Sequence, residues 1–346
     1  MLFSAASCNA ATNKNYEDSS RAEHLQLKLP KDFSAVGLVY HRFGDNRYPS
    51  TNTPLDKFEE QLKYLTQNGF KTYTVTDLYR NQDGEQKNIF ITIDDGLKSF
   101  YTQGWPLLKK YNCKATLFVN TESVGWGHYL TWPQLRELLK EGVEIGSHSH
   151  KHTYFLNVPE GQRVQTFTAD LDVSEQLFKD SLGLIPKVYA YPYGEFDEQM
   201  ADVLKDRGYK LAFAQNSGVW GSATHPFAIP RFPVAGNFVG LESFKQKVNM
   251  KPLPIKEESM FPVELKASEP FSFLLPLDSA QSVHGLNCFF NNKPNSSLYK
   301  LNNDAISVHL KMPQNARRVL LTFTAKNKDN EWCWWSKLFV NTLVDE

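Results

Sequence analysis

Short apolar runs alternate with segments of helical periodicity between about residues 35 and 250. The runs SAVGLVY, NIFITI, KATLFV, VEIGS and KVYAY are continuous and apolar, which is typical of strands buried on both faces of a parallel sheet. Between the runs, apolar residues recur at helical spacing, most clearly at 54–70, 131–142 and 168–183. This alternation predicts an α/β domain over residues 33–252, with a parallel sheet that is open or closed into a barrel.

The pattern changes after residue 252. A segment with proline and glutamate follows at 253–263, and short alternating runs without helical spacing fill residues 264–346. We predict a linker and then a small all-β, sandwich-like domain.

The first 32 residues are polar apart from a short apolar start, MLFSAAS, which precedes Cys8. This start is similar to the end of a bacterial lipoprotein signal with Cys8 as the lipidated residue, although the basic region is missing. We therefore expect residues 1–32 to be an export-signal remnant and a disordered linker. The protein would act in the periplasm or cell envelope, attached to a membrane only through a lipid on Cys8.

Composition gives no support to some classes of function. Lysine plus arginine equals aspartate plus glutamate at 38 each, which gives no support to nucleic-acid binding. No apolar stretch reaches about 18 residues, so no transmembrane helix is predicted. There is no C-x-x-C motif for a thiolate metal site, but Cys288 and Cys333 could form a disulfide in an oxidising compartment. Nothing in the sequence indicates a protein partner.

Candidate chemistry begins with ITIDDG, where Asp94 and Asp95 stand side by side at the end of an apolar run. The segment HSHKH adds His148, His150 and His152. On a helical turn the first and third histidines face one cation, whereas on an extended backbone the first and second would pair. One carboxylate and two imidazoles suit zinc, or cobalt or nickel, and the other carboxylate could act as a base on water. The alternative is a helix-capping aspartate beside a solvated one.

These two motifs resemble those of polysaccharide deacetylases, carbohydrate esterase family 4 with the NodB-homology domain. TIDDG at 92–96 is similar to the first family motif and HSHKH at 148–152 to the second, within a resemblance that covers roughly residues 34–235. The resemblance implies an α/β fold of the distorted (β/α) barrel type. It also implies that Asp94 is the catalytic base and that three residues bind one divalent metal: Asp95, His148 and His152.

The third family motif, R-x-P-[YF]-G, is matched only in its second half. Pro192, Tyr193 and Gly194 fit, but Ala190 stands where the family has arginine. The resemblance implies that the backbone N–H of Tyr193, after Pro192, holds the oxyanion. Arg231 in IPRFPV is a candidate for the missing arginine, which orients the base in the family, and an ordinary salt bridge is the alternative.

The fourth motif, an aspartate followed by tryptophan, is not found, and AQNSGVW offers Gln215, Asn216 and Trp220 instead. Trp220 is either core or a platform for sugar. The fifth motif supplies a histidine as general acid, and His225 does not fit it. His41 ends the run LVYH and resembles the acid of members with a permuted motif order, so we assign it this role; the alternative is a structural histidine at the barrel mouth.

The predicted function is therefore a metal-dependent hydrolase that removes acetyl groups from N-acetylglucosamine-type units. Its substrate would be a cell-envelope polysaccharide, either peptidoglycan or an exopolysaccharide, and acetate would be released. Aromatic residues near the motifs could stack on sugar rings or pack at the rim; they are Trp126, Tyr129, Trp132, Tyr154 and Tyr193. Two alternatives are a metal amidohydrolase of the same fold acting on a small cyclic amide or imide, and a catalytically dead glycan-binding scaffold.

Overall fold

The computed structural model describes residues 29–81, 87–256, 263–278 and 282–345. The expected export signal with Cys8 lies outside the described residues, as does most of the expected linker at 253–263. In these four described ranges, no helix is both long and apolar enough to cross a lipid bilayer.

Strands and helices alternate along the first part of the chain, as the apolar pattern predicts. The strands are β1 (Ser34–Tyr40), β2 (Arg42–Phe43), β3 (Asn52–Thr53), β4 (Lys71–Tyr73), β5 (Asn88–Ile93), β6 (Thr116–Val119), β7 (Glu144–Ser147), β8 (Val188–Ala190), β9 (Leu211–Phe213), β10 (Val219–Gly221), β11 (Phe232–Pro233) and β12 (Lys251–Pro252). The helices are α1 (Leu55–Gln67), α2 (Val75–Asn81), α3 (Trp105–Lys110), α4 (Trp132–Lys140), α5 (Glu160–Leu182), α6 (Glu198–Asp206) and α7 (Leu241–Val248).

One curled sheet has the strand order β10-β1-β5-β6-β7-β8-β9, with β4 beside β5 and β11 beside β1. Every pairing in it is parallel except that of β10 with β1. Every residue of β5 is buried, because helices cover one face and the barrel interior the other. The carboxyl ends of the parallel strands therefore meet at one edge, where loop residues can converge.

The segment 229–233 closes this sheet into a distorted barrel. Ile229 exchanges backbone hydrogen bonds with the end of β9, donating to Ala212 at 3.0 Å and accepting from Ala214 at 2.9 Å. Three residues further on, Phe232 pairs with Leu38 of β1. The same short segment thus joins both edges, and Arg231 lies between the two joins.

Helix α5 begins earlier than predicted. Its apolar spacing predicts a start at 168, whereas the helix begins at Glu160. In the additional turns only Val164 and Phe167 are apolar, which is too few to show a helical period. These turns are held by charge, because the nearly buried Arg163 donates to Asp197 at 2.7 Å and to Glu264 at 2.9 Å.

The remaining strands form two small sheets. They are β13 (Pro270–Pro276), β14 (His284–Phe290), β15 (Lys293–Pro294), β16 (Tyr299–Leu301), β17 (Ala305–Lys311), β18 (Arg318–Lys326) and β19 (Trp332–Val340). One sheet has the order β12-β19-β18-β14-β15 and the other β13-β17-β16, and their inner faces share one apolar core. The all-β character predicted for this part is confirmed.

The two parts of the chain are in direct contact. Strand β12, which precedes the expected boundary at residue 252, pairs with β19. One apolar cluster also contains Tyr189 and Phe196 of the barrel together with Val263 and Val340. The domain limits at 252 and 264 stay a prediction.

The suggested disulfide between Cys288 and Cys333 is wrong, because both thiols are free and buried. Cys288 pairs with Phe323 of β18, and Cys333 pairs with Ala325 of the same strand from its other side. Two strand spacings, about 9.6 Å, separate the outer strands. A disulfide needs Cα atoms within about 7 Å of each other.

Candidate active site

The ends of β1 and β5 bring His41 and the two aspartates together. Tyr40 pairs with Ile93, and the backbone N–H of Asp94 donates to the carbonyl of Tyr40 at 3.0 Å, so His41 and Asp94 leave adjacent strands at the same level. Burial would raise the pKa of Asp95, but its hydrogen bond to His148 and then the charge of His41 lower it below its usual value. The backbone turns sharply at Asp95, where φ is 76°, so neighbouring carboxylates point to different surroundings.

Three side chains converge on one point beside this turn. The Nε2 atoms of His148 and His152 are 3.2 Å apart, and they lie 3.5 and 3.6 Å from Oδ1 of Asp95. Four ligands at the usual zinc bond lengths, arranged as a tetrahedron, are about 3.3 Å from one another. The spacing of these three atoms therefore fits a divalent metal with at least one coordination position left for water or substrate.

The histidine loop is shaped to present these nitrogens. His148 Nδ1 donates to the carbonyl of Ala190 at 2.7 Å, which leaves Nε2 directed at the candidate metal position. Asp170 of α5 accepts the backbone N–H groups of His150 and Lys151 at 2.7 and 2.9 Å. The backbone of His152 is in the left-handed region at φ 54°, and its N–H donates to Ser149 Oγ.

His150 lies apart from the other two histidines. Its Nδ1 atom is 2.9 Å from the hydroxyl of Thr121, on the opposite side of the loop. Of the two pairings left open by the sequence, the structure therefore brings His148 and His152 together. Asp170 was missed in the sequence because a carboxylate within a helix is typical of a solvated face.

Arg231 holds Asp94 from the barrel interior. Both side chains are fully buried, and the guanidinium donates to the two carboxylate oxygens at 2.7 and 2.9 Å. Arg231 is fixed in turn by the carbonyl of Ala214 and the hydroxyl of Thr92, each 3.0 Å away. Although position 190 is alanine, a guanidinium does contact Asp94, and it belongs to the segment that closes the barrel.

The surroundings of the site shift the pKa values of Asp94, His148 and His152 in different directions. Burial would raise the pKa of Asp94, but the charge of Arg231 lowers it below its usual value. Burial would lower the pKa of His148, yet its hydrogen bond to Asp95 raises it. For His152, burial and then the charge of His148 lower the pKa to about 4. Both carboxyl groups are therefore ionised at neutral pH and His152 is neutral, whereas His148 must lose its proton to bind a metal.

The turn Pro192–Gly194 forms the neighbouring wall. Tyr193 has φ 60°, and its ring lies 4.5 Å from the ring of His152, measured between centroids. Gly194 has φ 71°, and a Cβ there would be 2.6 Å from the backbone nitrogen of Gln215. Gln215 itself reaches to 3.5 Å from Asp94, at the limit of a hydrogen bond.

Other candidates lie away from the site. Trp220 is 1% exposed and packs edge-on against Phe33 and Phe90, so it is core and not a platform for sugar. Asn216 donates to the carbonyl of Ser336 on β19. Trp126 is 55% exposed in the loop after β6 and remains available to a ligand.

Known proteins resemble this chain in sequence and in fold. The family model for polysaccharide deacetylases matches residues 81–212. The Bacillus subtilis protein YxkH, which carries the same family name, is 30% identical over 218 residues, covering 62% of this chain and 76% of its own. The chain belongs to the polysaccharide deacetylase family. It is thus an enzyme of a hydrolase family.

Two further similar proteins have lower sequence identity to this chain. The poly-beta-1,6-N-acetyl-D-glucosamine N-deacetylase of Staphylococcus aureus strain MRSA252 is 25% identical, over 59% of this chain and 80% of its own. The solved structure of Streptococcus pyogenes deacetylase PplD in complex with acetate has a TM-score of 0.56 at 22% identity and covers 62% of this chain and 98% of its own. The latter likeness supports the barrel fold.

Proposed function

We propose that this polysaccharide deacetylase is metal-dependent and hydrolyses the N-acetyl groups of N-acetylglucosamine units in a cell-envelope polysaccharide, releasing acetate. The observation that carries the proposal is the convergence of Asp95, His148 and His152 at metal-ligand spacing, directly beside a buried Asp94. Zinc is the expected metal, and cobalt or nickel would also suit one carboxylate and two imidazoles.

Each remaining group has a defined task in this proposal. Asp94 is the base that takes the proton of the attacking water, and its two bonds from Arg231 do not use all the lone-pair positions of the carboxylate. The backbone N–H of Tyr193 donates to the oxyanion, and His41 protonates the leaving amine. When bound, the metal supplies Lewis-acid polarisation of the acetamide carbonyl and lowers the pKa of water.

An exopolysaccharide is the preferred substrate class over peptidoglycan. The Staphylococcus aureus relative is named for poly-beta-1,6-N-acetyl-D-glucosamine, and alignment with it covers 80% of that protein. Action at the periplasm or envelope would follow, with a lipid on Cys8 as the means of attachment. His41, near the start of the chain, also agrees with a permuted order of motifs.

The test is acetate release from oligomers of β-1,6-linked N-acetylglucosamine, from chitooligosaccharides and from purified peptidoglycan. Asp94→Asn keeps the size of the side chain and should lower the rate by several powers of ten while metal content stays at the wild-type level. Asp56→Asn, at a carboxylate whose side chain is 71% exposed on α1, is the matched control and should keep full activity.

Each contrary result has a distinct meaning. Bound metal without acetate release from any of the glycans would favour the hydrolase of a small cyclic amide. Absence of metal after loading the protein with zinc, cobalt or nickel would refute the ligand set and favour the glycan-binding scaffold. Activity of Asp94→Asn close to wild type would refute its role as the base.

A further inference from the structure

We propose that the C-terminal sheets hold the metal-binding side of the site in position, and that Arg318 is the positioning residue through which they act. The inference rests on the proposed function, since it assigns a purpose to contacts beside the proposed metal ligands. It concerns a residue that lies outside the segment matched by the family model, residues 81–212.

A stack of side chains leads from the candidate ligand to the C-terminal sheets. The ring of His152 lies against that of Tyr193, with 4.5 Å between centroids. Tyr193 and Tyr154 are stacked at 3.5 Å and almost parallel. Beyond them, the guanidinium of Arg318 lies 5.6 Å from the ring of Tyr193 and 5.8 Å from that of Tyr154, within the range of cation–π attraction.

A buried ion-pair cluster fixes the outer end of this stack. Glu195, directly after the Pro192–Gly194 turn, is 1% exposed. Its carboxylate accepts from Arg318 at 2.9 Å and from Arg317 at 2.9 and 3.3 Å. A buried carboxylate is stable only with such partners, so the turn that carries Tyr193 is tied to the first residue of β18.

The second arginine ties down the other half of the stack. Arg317 donates to the side chain of Asn157 at 2.9 Å and lies 4.8 Å from the ring of Tyr154. Asn157 ends the short helical turn that follows the histidine loop. Both segments that meet at His152 are therefore anchored on the same end of β18.

The contacts bear on function because the supported residues have unfavourable backbone conformations. Tyr193 and His152 both have positive φ, at 60° and 54°. Such conformations persist only where the surroundings hold them in place. A metal ligand must also be held to within about 0.5 Å of its bonding position. Loss of Arg318 should loosen His152 while every proposed ligand is still present.

Arg318 is the suitable residue for a test. Its side chain is 29% exposed, whereas that of Arg317 is 5% exposed, and Arg317 continues to neutralise Glu195 when Arg318 is replaced. Lys326, at the opposite end of β18, lies over the ring of Trp332 at 5.4 Å and serves as a matched cation–π control. The two ends of the strand are about 26 Å apart at about 3.3 Å per residue.

The experiment compares zinc affinity, kcat, KM and melting temperature in the full-length wild type, Arg318→Ala, Arg318→Lys and Lys326→Ala. Zinc affinity is measured by competition with a chromophoric chelator. Arg318→Ala should bind zinc about 10-fold more weakly, within the range found when outer partners of metal ligands are removed. At saturating zinc its kcat should fall with KM unchanged within about twofold, as expected of a residue without contact to the sugar.

The control and the conservative variant complete the design. Lys326→Ala should match wild type in every quantity. Arg318→Lys keeps the charge beside Glu195 but lacks the guanidinium plane, so its zinc affinity should lie between those of wild type and Arg318→Ala. If Arg318→Ala does not fold, Arg318→Lys decides, and unchanged zinc affinity in it would overturn the proposal.

The two proposals can fail separately. Wild-type zinc affinity and kcat in Arg318→Ala would overturn the positioning role even if the enzyme releases acetate. If the wild type binds zinc but releases no acetate, the proposed substrate is wrong, and the zinc affinities of the variants still decide the role of Arg318.

Discussion

Replacement of Arg231 by glutamine should both destabilise the protein and disable the site. Arg231 and Asp94 are each fully buried and are joined by two hydrogen bonds of 2.7 and 2.9 Å. Removing one member of a buried pair leaves an uncompensated charge, which costs about 3–5 kcal/mol. Single domains have unfolding free energies of about 5–15 kcal/mol, so the loss would be a large part of the total.

The same change should lower the rate of acetate release. Burial raises the pKa of Asp94, and without Arg231 little remains to oppose that effect except the charge of nearby histidines. The carboxylate would also lose the two bonds that fix its orientation. A displacement of about 1 Å can lower a rate by about 10²-fold, and we expect at least that loss in kcat.

Urea unfolding at pH 7 measures the stability, with Arg207→Gln as control. Arg207 also pairs with two carboxylates, at 2.5 and 3.0 Å, but one of them, Asp172, has a side chain that is 60% exposed. The control should lose about 1 kcal/mol or less. The double variant Asp94→Asn with Arg231→Gln removes both charges and should be more stable than Arg231→Gln alone.

Two results would refute this reasoning. A loss below about 1 kcal/mol in Arg231→Gln would mean that water reaches the pair, contrary to its complete burial. A double variant no more stable than Arg231→Gln would mean that the cost comes from lost packing and not from an unpaired charge.

Two further predictions concern backbone and pH. Gly194→Ala should lower the free energy of unfolding in urea by more than about 2 kcal/mol, because φ is 71° and the new Cβ would lie 2.6 Å from Gln215 N. The control Gly183→Ala, at φ 73° with open space around it, should lose only about 1 kcal/mol. Equal losses in the two variants would contradict the predicted clash at residue 194. Burial, and then the charge of Lys337, lower the pKa of His225 to about 4. Its Nδ1 accepts from Phe227 N–H at 3.2 Å. Since the unfolded histidine titrates near 6.5, stability should fall as the pH drops from 6.5 towards 4, and His225→Asn should flatten that fall in unfolding curves at several pH values. Parallel curves for the two proteins would contradict it.

Local patterns were enough to predict much of this molecule. The continuous apolar run 88–93 predicted a strand buried on both faces, and every residue of β5 is buried. The aspartates at its end and the histidines after β7 follow two parallel strands of one sheet with only β6 between them, and the carboxyl ends of these strands lie on one edge of the sheet. Resemblance to a known family then supplied roles that periodicity alone could not.

Other features depend on long-range contacts and leave no local pattern. The early start of α5 depends on ion pairs of Arg163 with residues far along the chain. The support of Tyr193 comes from arginines more than a hundred positions away. Cys288 and Cys333 both lie in the C-terminal all-β part, but their strands flank β18 on opposite sides. Only the strand order reveals this separation.

The departure at position 190 shows why a broken motif is weak grounds for a dead enzyme. Ala190 still provides the carbonyl that accepts from His148 Nδ1, a task that any residue's backbone can perform. The guanidinium expected there comes instead from Arg231, whose charge lies over the rings of Phe118 and Phe213 at 5.6 and 5.9 Å. Burying an arginine costs free energy of folding, and a buried ion pair is weak evidence for stability. A role of its partner in catalysis would account for the pair, and the partner of Arg231 is the proposed base, Asp94. A guanidinium and a carboxylate are therefore still paired, although the arginine comes from position 231 and not from position 190. This pairing favours a working site over a glycan-binding scaffold.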